Sequence, residues 1–198
     1  AESVHRTFGV MCRRAGMYAA KDTELFEAFD MEYEYDVREA FEAYLRGEGA
    51  LSHWADLLNF QEFAYPETYN KLRFLENHDV PRIASFVRDM PDLANFTAML
   101  YFLKGATLLY AGQEAACGHL PSLFDRATIS WDTGRDLTPL MTALAAVKKT
   151  HLSTSDSFFA QADDKNHIAV MTRDDGAVRK LGVFSLRSAP AEAAVDAP

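Results

Sequence analysis

Two short apolar runs, each closed by polar turn residues, most constrain how this chain can fold. They are Lys71–Leu75 and Ala106–Tyr110, and the segment between them, Asp92–Lys104, has the composition and end signals of a helix. A strand, a helix and a second strand in this order predict parallel strands joined by a crossover helix. Asp79, just after the first run, and Tyr110, at the end of the second, are 31 positions apart (110 − 79). That spacing is close to the roughly 30 residues of one unit of a (β/α)8 barrel, although an open doubly wound sheet would give a similar value.

The segments on either side extend the alternation of helices and strands. Leu25–Tyr35 alternates polar residues with aromatic or apolar ones, which predicts a strand. Helices are predicted over His5–Ala15, Arg38–Leu45, Leu51–Phe63 and Leu137–Lys149, and strands over Ser157–Ala162, His167–Arg173 and Lys180–Leu186. Near His151 the pattern changes from alternating helices and strands to short strand-like segments only. This change predicts two domains, residues 1–150 and residues 151–198. The second is a small all-β unit with an Ala/Pro-rich, disordered tail from Ser188 onward.

The composition excludes several classes of partner. The 198 residues carry a formal net charge of −9, and the longest basic runs are the pairs Arg13-Arg14 and Lys148-Lys149, so we expect no binding to nucleic acid. The longest apolar stretch, residues 96–110, is interrupted by a lysine and a glycine, so we expect no membrane span. A neutral, polyhydroxylated substrate is compatible with such a surface.

The candidate functional residues lie at the end of the first apolar run. Phe74-Leu75 leads into Glu76-Asn77-His78-Asp79, so polar groups follow the C-terminal end of a buried strand, where (β/α)8 barrels carry their catalytic residues. A carboxylate, an imidazole and an amide at that point can surround one small pocket. From the residues alone, a strand end whose side chains only hydrogen-bond the following loop is an equally good interpretation.

Asn77-His78-Asp79 resembles the Asn-His-Asp signature after the seventh barrel strand of the α-amylase family, glycoside hydrolase family 13. Segments downstream are similar to the family's eighth strand with its Tyr-x-Gly-Gln-Glu turn, and to the stretch before the last helix: Phe102–Glu114, Leu123–Arg126 and Ile129–Asp132. The resemblance implies an α/β fold made of the C-terminal half of a (β/α)8 TIM barrel, about strands five to eight. An incomplete small all-β domain would follow it.

The resemblance also implies roles for individual residues of a retaining glycosidase. Asp79 would be the carboxylate that stabilises the transition state, and His78, together with Asn77, would bind the sugar in the subsite that is cleaved. Glu2 looks like the general acid/base that follows the fifth strand. Such a residue protonates the leaving oxygen and then activates water.

The resemblance leaves Arg82 and the metal requirement less determined. An Asn-His-Asp-x-Pro-Arg run resembles relatives in which the arginine borders the pocket near the leaving-group side, which would make Arg82 a substrate-binding residue. A surface arginine paired with Glu76 or Asp89 fits the sequence equally well. The resemblance allows calcium, but no cluster of oxygen ligands at a recognisable loop spacing is present in the sequence, so no cofactor is assigned.

The sequence lacks one residue that this chemistry requires. The family's nucleophile is an aspartate at the end of the fourth strand, in a Gly-Phe-Arg-x-Asp-like context that occurs nowhere in this chain. We therefore expect part of a retaining enzyme for the α-glucosidic bonds of starch-like oligo- or polysaccharides, inactive without a missing N-terminal half of the barrel. The alternatives are an α-glucan transferase, a non-catalytic sugar- or protein-binding module on the same scaffold, and an unrelated α/β protein.

A half barrel would leave its strand edges unpaired and the inner faces of its strands uncovered. We therefore expect the isolated chain to self-associate or to be poorly soluble until an N-terminal half is supplied. Size-exclusion chromatography and calorimetry on the purified chain measure this. A monodisperse monomer that melts cooperatively would contradict the expectation.

Overall fold

The first of two sheets is parallel and contains three short strands in the order β1–β2–β3. The computed structural model describes residues 1–4, 6–187 and 192. The strands of this sheet are β1 (Glu32–Tyr33), β2 (Lys71–Arg73) and β3 (Ala106–Thr107). Helices α1 (Arg6–Arg14) and α2 (Asp22–Leu25) precede β1, helices α3 (Arg38–Arg46) and α4 (Leu51–Ala64) lead from β1 to β2, and helices α5 (Ile83–Phe86) and α6 (Met90–Phe102) lead from β2 to β3.

The second sheet is antiparallel and follows helix α7 (Thr138–His151). It contains three strands in the order β4–β5–β6: β4 (Ser157–Asp163), β5 (Ile168–Asp174) and β6 (Arg179–Ser185). Over the described ranges the chain therefore combines helices with two small sheets, and the sheets do not close into a full barrel. None of the helices in these ranges combines the length and the apolar character needed to cross a bilayer.

Most of the predicted elements are present, and Leu25–Tyr35 is the main departure. Its first residue ends α2, and only Glu32–Tyr33 pairs as a strand, while Phe29 is 50% exposed. A period of two in the sequence shows which residues could form a strand, but pairing also needs a neighbouring strand, and β2 offers only a short one. The predicted helix from His5 is present from Arg6, whereas His5 and the predicted disordered tail, apart from Glu192, lie outside the described residues.

The N-terminal residue lies alongside β1. The Ala1 ammonium group donates a hydrogen bond of 2.6 Å to the Met31 carbonyl, and the Tyr33 amide donates one of 3.2 Å to the Ala1 carbonyl. Two bonds that flank the partner residue Glu32 in this way have the pattern of a parallel ladder. Ala1 therefore takes the place of a further parallel strand at the free edge of β1, and Glu2 follows at the C-terminal end of the sheet.

Buried ion pairs join β1 to β2 on one face of the sheet. Lys71 Nζ lies 2.7 Å from Glu32 Oε2, and the Arg73 guanidinium pairs with the Glu34 carboxylate. Both cationic side chains are 0% exposed. Each pair spans 39 positions (71 − 32 and 73 − 34), which is also the register of the strands. A slip of one residue would move one partner of each pair to the opposite face, so the pairs fix this register.

Gly105 allows β3 to approach β2. Its φ is +117°, and a Cβ atom at this position would lie 2.2 Å from the Lys71 carbonyl oxygen. A side chain would therefore be strained by the backbone conformation and would also collide with β2. The glycine that ends α6 in the sequence thus also sets the distance between the last two parallel strands.

The antiparallel sheet docks on α4 through the side chain of Asn59. The Asn59 Nδ2 group donates a hydrogen bond of 2.8 Å to the Ala160 carbonyl, and Asn59 Oδ1 accepts one of 2.8 Å from the Ala160 amide. The side chain thereby satisfies both backbone groups of Ala160 at the free edge of β4. In addition, Arg173 of β5 donates to the Phe102 carbonyl at the end of α6, at 3.0 Å.

One hydrophobic core joins the helices that flank the parallel sheet to the antiparallel sheet. It contains Trp54 and Leu58 of α4, Phe96 of α6, Phe158 of β4 and Met171 of β5. The division into domains 1–150 and 151–198 remains a prediction, and the two predicted domains share this buried cluster. Docking of the small sheet is therefore part of how α4 and α6 bury their apolar side chains.

Glu34→Gln tests whether the buried pairs stabilise the sheet. The substitution leaves the Arg73 guanidinium, which is 0% exposed, without its carboxylate partner, so we expect the free energy of unfolding to fall by about 3–5 kcal/mol. Glu48→Gln is the matched control, because Glu48 pairs with Arg46 at the surface, at 2.9 Å, and such pairs contribute at most about 1 kcal/mol. Urea denaturation followed by tryptophan fluorescence measures both variants, and losses of equal size would contradict this role.

Candidate functional site

The residues after β1, after β2 and after Ala1 meet at the C-terminal end of the parallel sheet. Tyr35 follows β1, and Asn77, His78 and Asp79 follow β2. Parallel strands end at the same edge of a sheet, which is why segments far apart in the sequence come together here. Glu2 reaches this edge because Ala1 pairs alongside β1.

Glu2, His78 and Asp79 form a compact cluster. One carboxylate oxygen or imidazole nitrogen from each side chain lies within 4.8 Å of the corresponding atoms of the other two. His78 Nε2 is 3.4 Å from Asp79 Oδ1, and these two side chains are 40% and 39% exposed. Glu2 is also exposed. The cluster therefore brings the two predicted catalytic carboxylates together, with an imidazole beside them, where a dissolved substrate can reach all three.

A closed ring of hydrogen bonds holds the Asp79 carboxylate. The Tyr35 hydroxyl donates to Asp79 Oδ2 at 2.6 Å and accepts from Asn77 Nδ2 at 2.7 Å. The Asp79 amide in turn donates to Asn77 Oδ1 at 2.9 Å. Burial raises the pKa of Tyr35, and the hydrogen bond to Asp79 raises it further. The hydroxyl therefore keeps its proton, and remains a donor, where carboxylates are ionised.

Asn77 was expected to bind substrate, but its side chain is buried. It is 1% exposed, and its amide group is already bonded to Tyr35, to the Asp79 amide and to the Val80 amide, the last at 3.2 Å. Asn77 therefore shapes the loop that carries His78 and Asp79. Sequence reasoning did not select Tyr35 as a site residue, although the rule that selected Asp79, a polar group at the C-terminal end of a parallel strand, applies to Tyr35 as well.

Arg82 is buried and contacts other protein groups. Its side chain is 0% exposed, and Nη1 lies 2.6 Å from Glu76 Oε1. Nη2 donates to the Ala111 carbonyl at 2.9 Å, and Nε donates to the His119 carbonyl at 3.2 Å. Arg82 therefore pairs with Glu76, as the alternative interpretation of the sequence expected. The pair lies in the interior and not at the surface. A substrate-binding Arg82 was expected to border an open pocket. Instead, its donors bond Glu76 and two carbonyl groups of the loop after β3, and so they join that loop to the loop after β2.

The cluster does not suit calcium. Among the described residues, Glu2, His78 and Asp79 are the group of histidine, cysteine and acidic side chains compact enough to surround an ion. Calcium takes about six to eight oxygen ligands, whereas this group supplies two carboxylates and an imidazole. We assign no metal to these residues.

Comparison with known proteins places this geometry in context. No protein-family profile matches the sequence. The structure is similar to that of an α-amylase from Lactobacillus plantarum, with 32% sequence identity and a TM-score of 0.83 over 96% of this chain and 44% of that protein. It is also similar to a noncanonic maltogenic α-amylase, AmyB, from Thermotoga neapolitana, with 26% identity and a TM-score of 0.75 over 93% of this chain and 47% of that protein.

A more distant similarity supports the fold alone. The maltogenic amylase from S. marinus shares 18% identity with a TM-score of 0.67, over 92% of this chain and 29% of that protein. The chain spans less than half the length of each of these three proteins. The matches cover nearly all of this chain and include both sheets. This chain therefore belongs to the α-amylase family.

Proposed function

We infer that this chain carries the acid/base and transition-state-stabilising carboxylates of a retaining hydrolase for α-glucosidic bonds in starch-like oligo- or polysaccharides. The observation that carries the proposal is the meeting of Glu2, His78 and Asp79 within 4.8 Å at the C-terminal end of the parallel sheet. Side chains 76 positions apart (78 − 2) come together at the edge where this class of fold places its chemistry. The α-amylase neighbours favour a sugar polymer as the substrate.

The proposed reaction assigns one task to each side chain. Glu2 donates a proton to the glycosidic oxygen as the bond to the anomeric carbon breaks, while a nucleophilic carboxylate forms a bond to that carbon. Glu2 then takes a proton from water as the water attacks the glycosyl intermediate. The negative charge of Asp79 stabilises the positive charge that develops on the sugar ring in both steps. His78, half exposed beside Asp79, donates to a sugar hydroxyl.

The proposal places the chain at strands five to eight of a (β/α)8 barrel, with residues 151–198 as the start of a small all-β domain. Ala1 would end the fifth strand, and β1, β2 and β3 would be the next three. The parallel order of these strands and the ladder bonds of Ala1 support this assignment. The nucleophilic aspartate would then belong to an N-terminal half of the barrel, since no Gly-Phe-Arg-x-Asp-like segment occurs in these 198 residues.

Co-expression of this chain with an N-terminal half of an α-amylase-family barrel, followed by assay on 4-nitrophenyl α-maltooligosaccharides, tests the proposal. We expect Glu2→Gln to lower kcat by about 100- to 10,000-fold, the usual contribution of a general acid/base. Asp79→Asn should lower kcat by about 100- to 1,000-fold, since one charge opposite the transition state is lost. Glu48→Gln, at an exposed surface pair, is the control and should keep full activity.

Leaving-group dependence separates the two carboxylates. A dinitrophenyl leaving group needs no proton, so Glu2→Gln should regain formation of the intermediate on such a substrate, and azide should accelerate its breakdown. Asp79→Asn should regain neither, because its charge acts on the sugar ring. Full activity of both variants would contradict the assignment. Binding of maltooligosaccharide without turnover by the assembled wild-type protein would favour a non-catalytic module instead.

A further inference from the structure

The Tyr35 hydroxyl has a fixed direction, because the ring of hydrogen bonds leaves it no alternative. Asn77 can reach it only as a donor, since Asn77 Oδ1 is occupied by the amides of Asp79 and Val80. The hydroxyl oxygen therefore accepts from Asn77 Nδ2 at 2.7 Å, and its own proton points to Asp79 Oδ2 at 2.6 Å. A short donor to a carboxylate is among the stronger hydrogen bonds in proteins.

The Tyr35 ring is held between two other aromatic rings. Tyr33 stacks against it, with centroids 5.5 Å apart and an interplanar angle of 23°. Phe74 meets it edge-on, with centroids 5.3 Å apart. The Arg38 guanidinium lies over the Phe74 ring, 5.2 Å from the ring centroid, and Arg38 also donates to the Leu75 carbonyl at 2.8 Å. The hydroxyl is therefore positioned by packing on Tyr33 of β1 and on Phe74, the residue after β2.

The two oxygens of Asp79 have different surroundings as a result. Oδ2 is occupied by Tyr35, whereas Oδ1 lies 3.4 Å from His78 Nε2 in the open cluster. Asp79 is partly exposed, and a carboxylate in that position would otherwise rotate freely about its last bond. The bond from Tyr35 selects which oxygen remains available beside His78 and Glu2.

We propose that Tyr35 is a positioning residue of the active site: its hydroxyl, oriented by Asn77, fixes the Asp79 carboxylate so that one oxygen faces the substrate. This inference rests on the proposed function, because it assigns Tyr35 to the step in which Asp79 acts. A residue that orients a transition-state charge lowers kcat when it is removed and changes substrate binding little. Tyr35 is therefore expected to affect turnover and not affinity.

Tyr35→Phe in the assembled protein tests the proposal, with Tyr33→Phe as the matched control. Both substitutions remove one phenolic hydroxyl from stacked neighbours, but only Tyr35 bonds Asp79. We expect Tyr35→Phe to lower kcat by about 10- to 100-fold, the contribution of one hydrogen bond to a charged group, with KM within about twofold of wild type. Tyr33→Phe should change neither by more than about twofold. A change in KM alone, or equal effects of the two variants, would overturn the proposal.

A double-mutant cycle separates positioning from a general effect on packing. In an Asp79→Asn background, Tyr35→Phe should lower kcat by less than about twofold, because the charge that it orients is absent. A loss as large as in the wild-type background would show that Tyr35 acts through the fold and not through Asp79. That result would also overturn the proposal.

A spectroscopic measurement on the assembled protein needs no activity. At one fixed pH, the 13C resonance of the Asp79 carboxyl should move in Tyr35→Phe and stay in place in Tyr33→Phe. An unchanged resonance in both variants would contradict the Tyr35–Asp79 hydrogen bond, whatever the protein catalyses. An inactive wild-type assembly with the expected resonance shift would overturn the proposed function, and the turnover role of Tyr35 with it, while supporting the hydrogen bond itself.

Discussion

The candidate site depends on the buried ion pairs between β1 and β2. Glu32 with Lys71 and Glu34 with Arg73 lie on one face of a strand pair that is only a few residues long. So few ladder hydrogen bonds would hold the register weakly by themselves. Unpaired charges in the interior would cost several kcal/mol each, so a slipped register is strongly disfavoured. The pairs thus select one alignment of the strands.

That alignment determines where the functional side chains lie. With the charges on one face, the alternation of a strand places Tyr33 and Tyr35 on the other, with Tyr35 opposite Phe74. Tyr35 then stands beside the loop that follows β2 and reaches Asn77 and Asp79. The ion pairs on one face of the strand pair and the geometry of the candidate site therefore both follow from the same register.

The loops at this edge are held by buried polar groups. Arg82 links Glu76 to carbonyl groups after β3, and Asn77 closes the turn that carries Asp79. These residues occupy the same sequence motif as His78 and Asp79, yet they are nearly inaccessible to solvent. The motif thus contains two kinds of residue: exposed residues in the open cluster, and buried residues that hold the loop carrying them in place.

The sequence by itself determined the order of helices and strands, the acid-rich surface, and the identity of His78 and Asp79 as candidates, because periodicity, turn residues and a short local motif all act within a few positions. Most helix bounds follow from the same local signals. Tertiary structure decided the rest. The short extent of β1, the burial of Asn77 and Arg82, and the contact between Tyr35 and Asp79 depend on contacts between segments 29 or more positions apart. Local pattern cannot specify such contacts, because they arise only when buried charges and the parallel register bring distant strand ends to one edge.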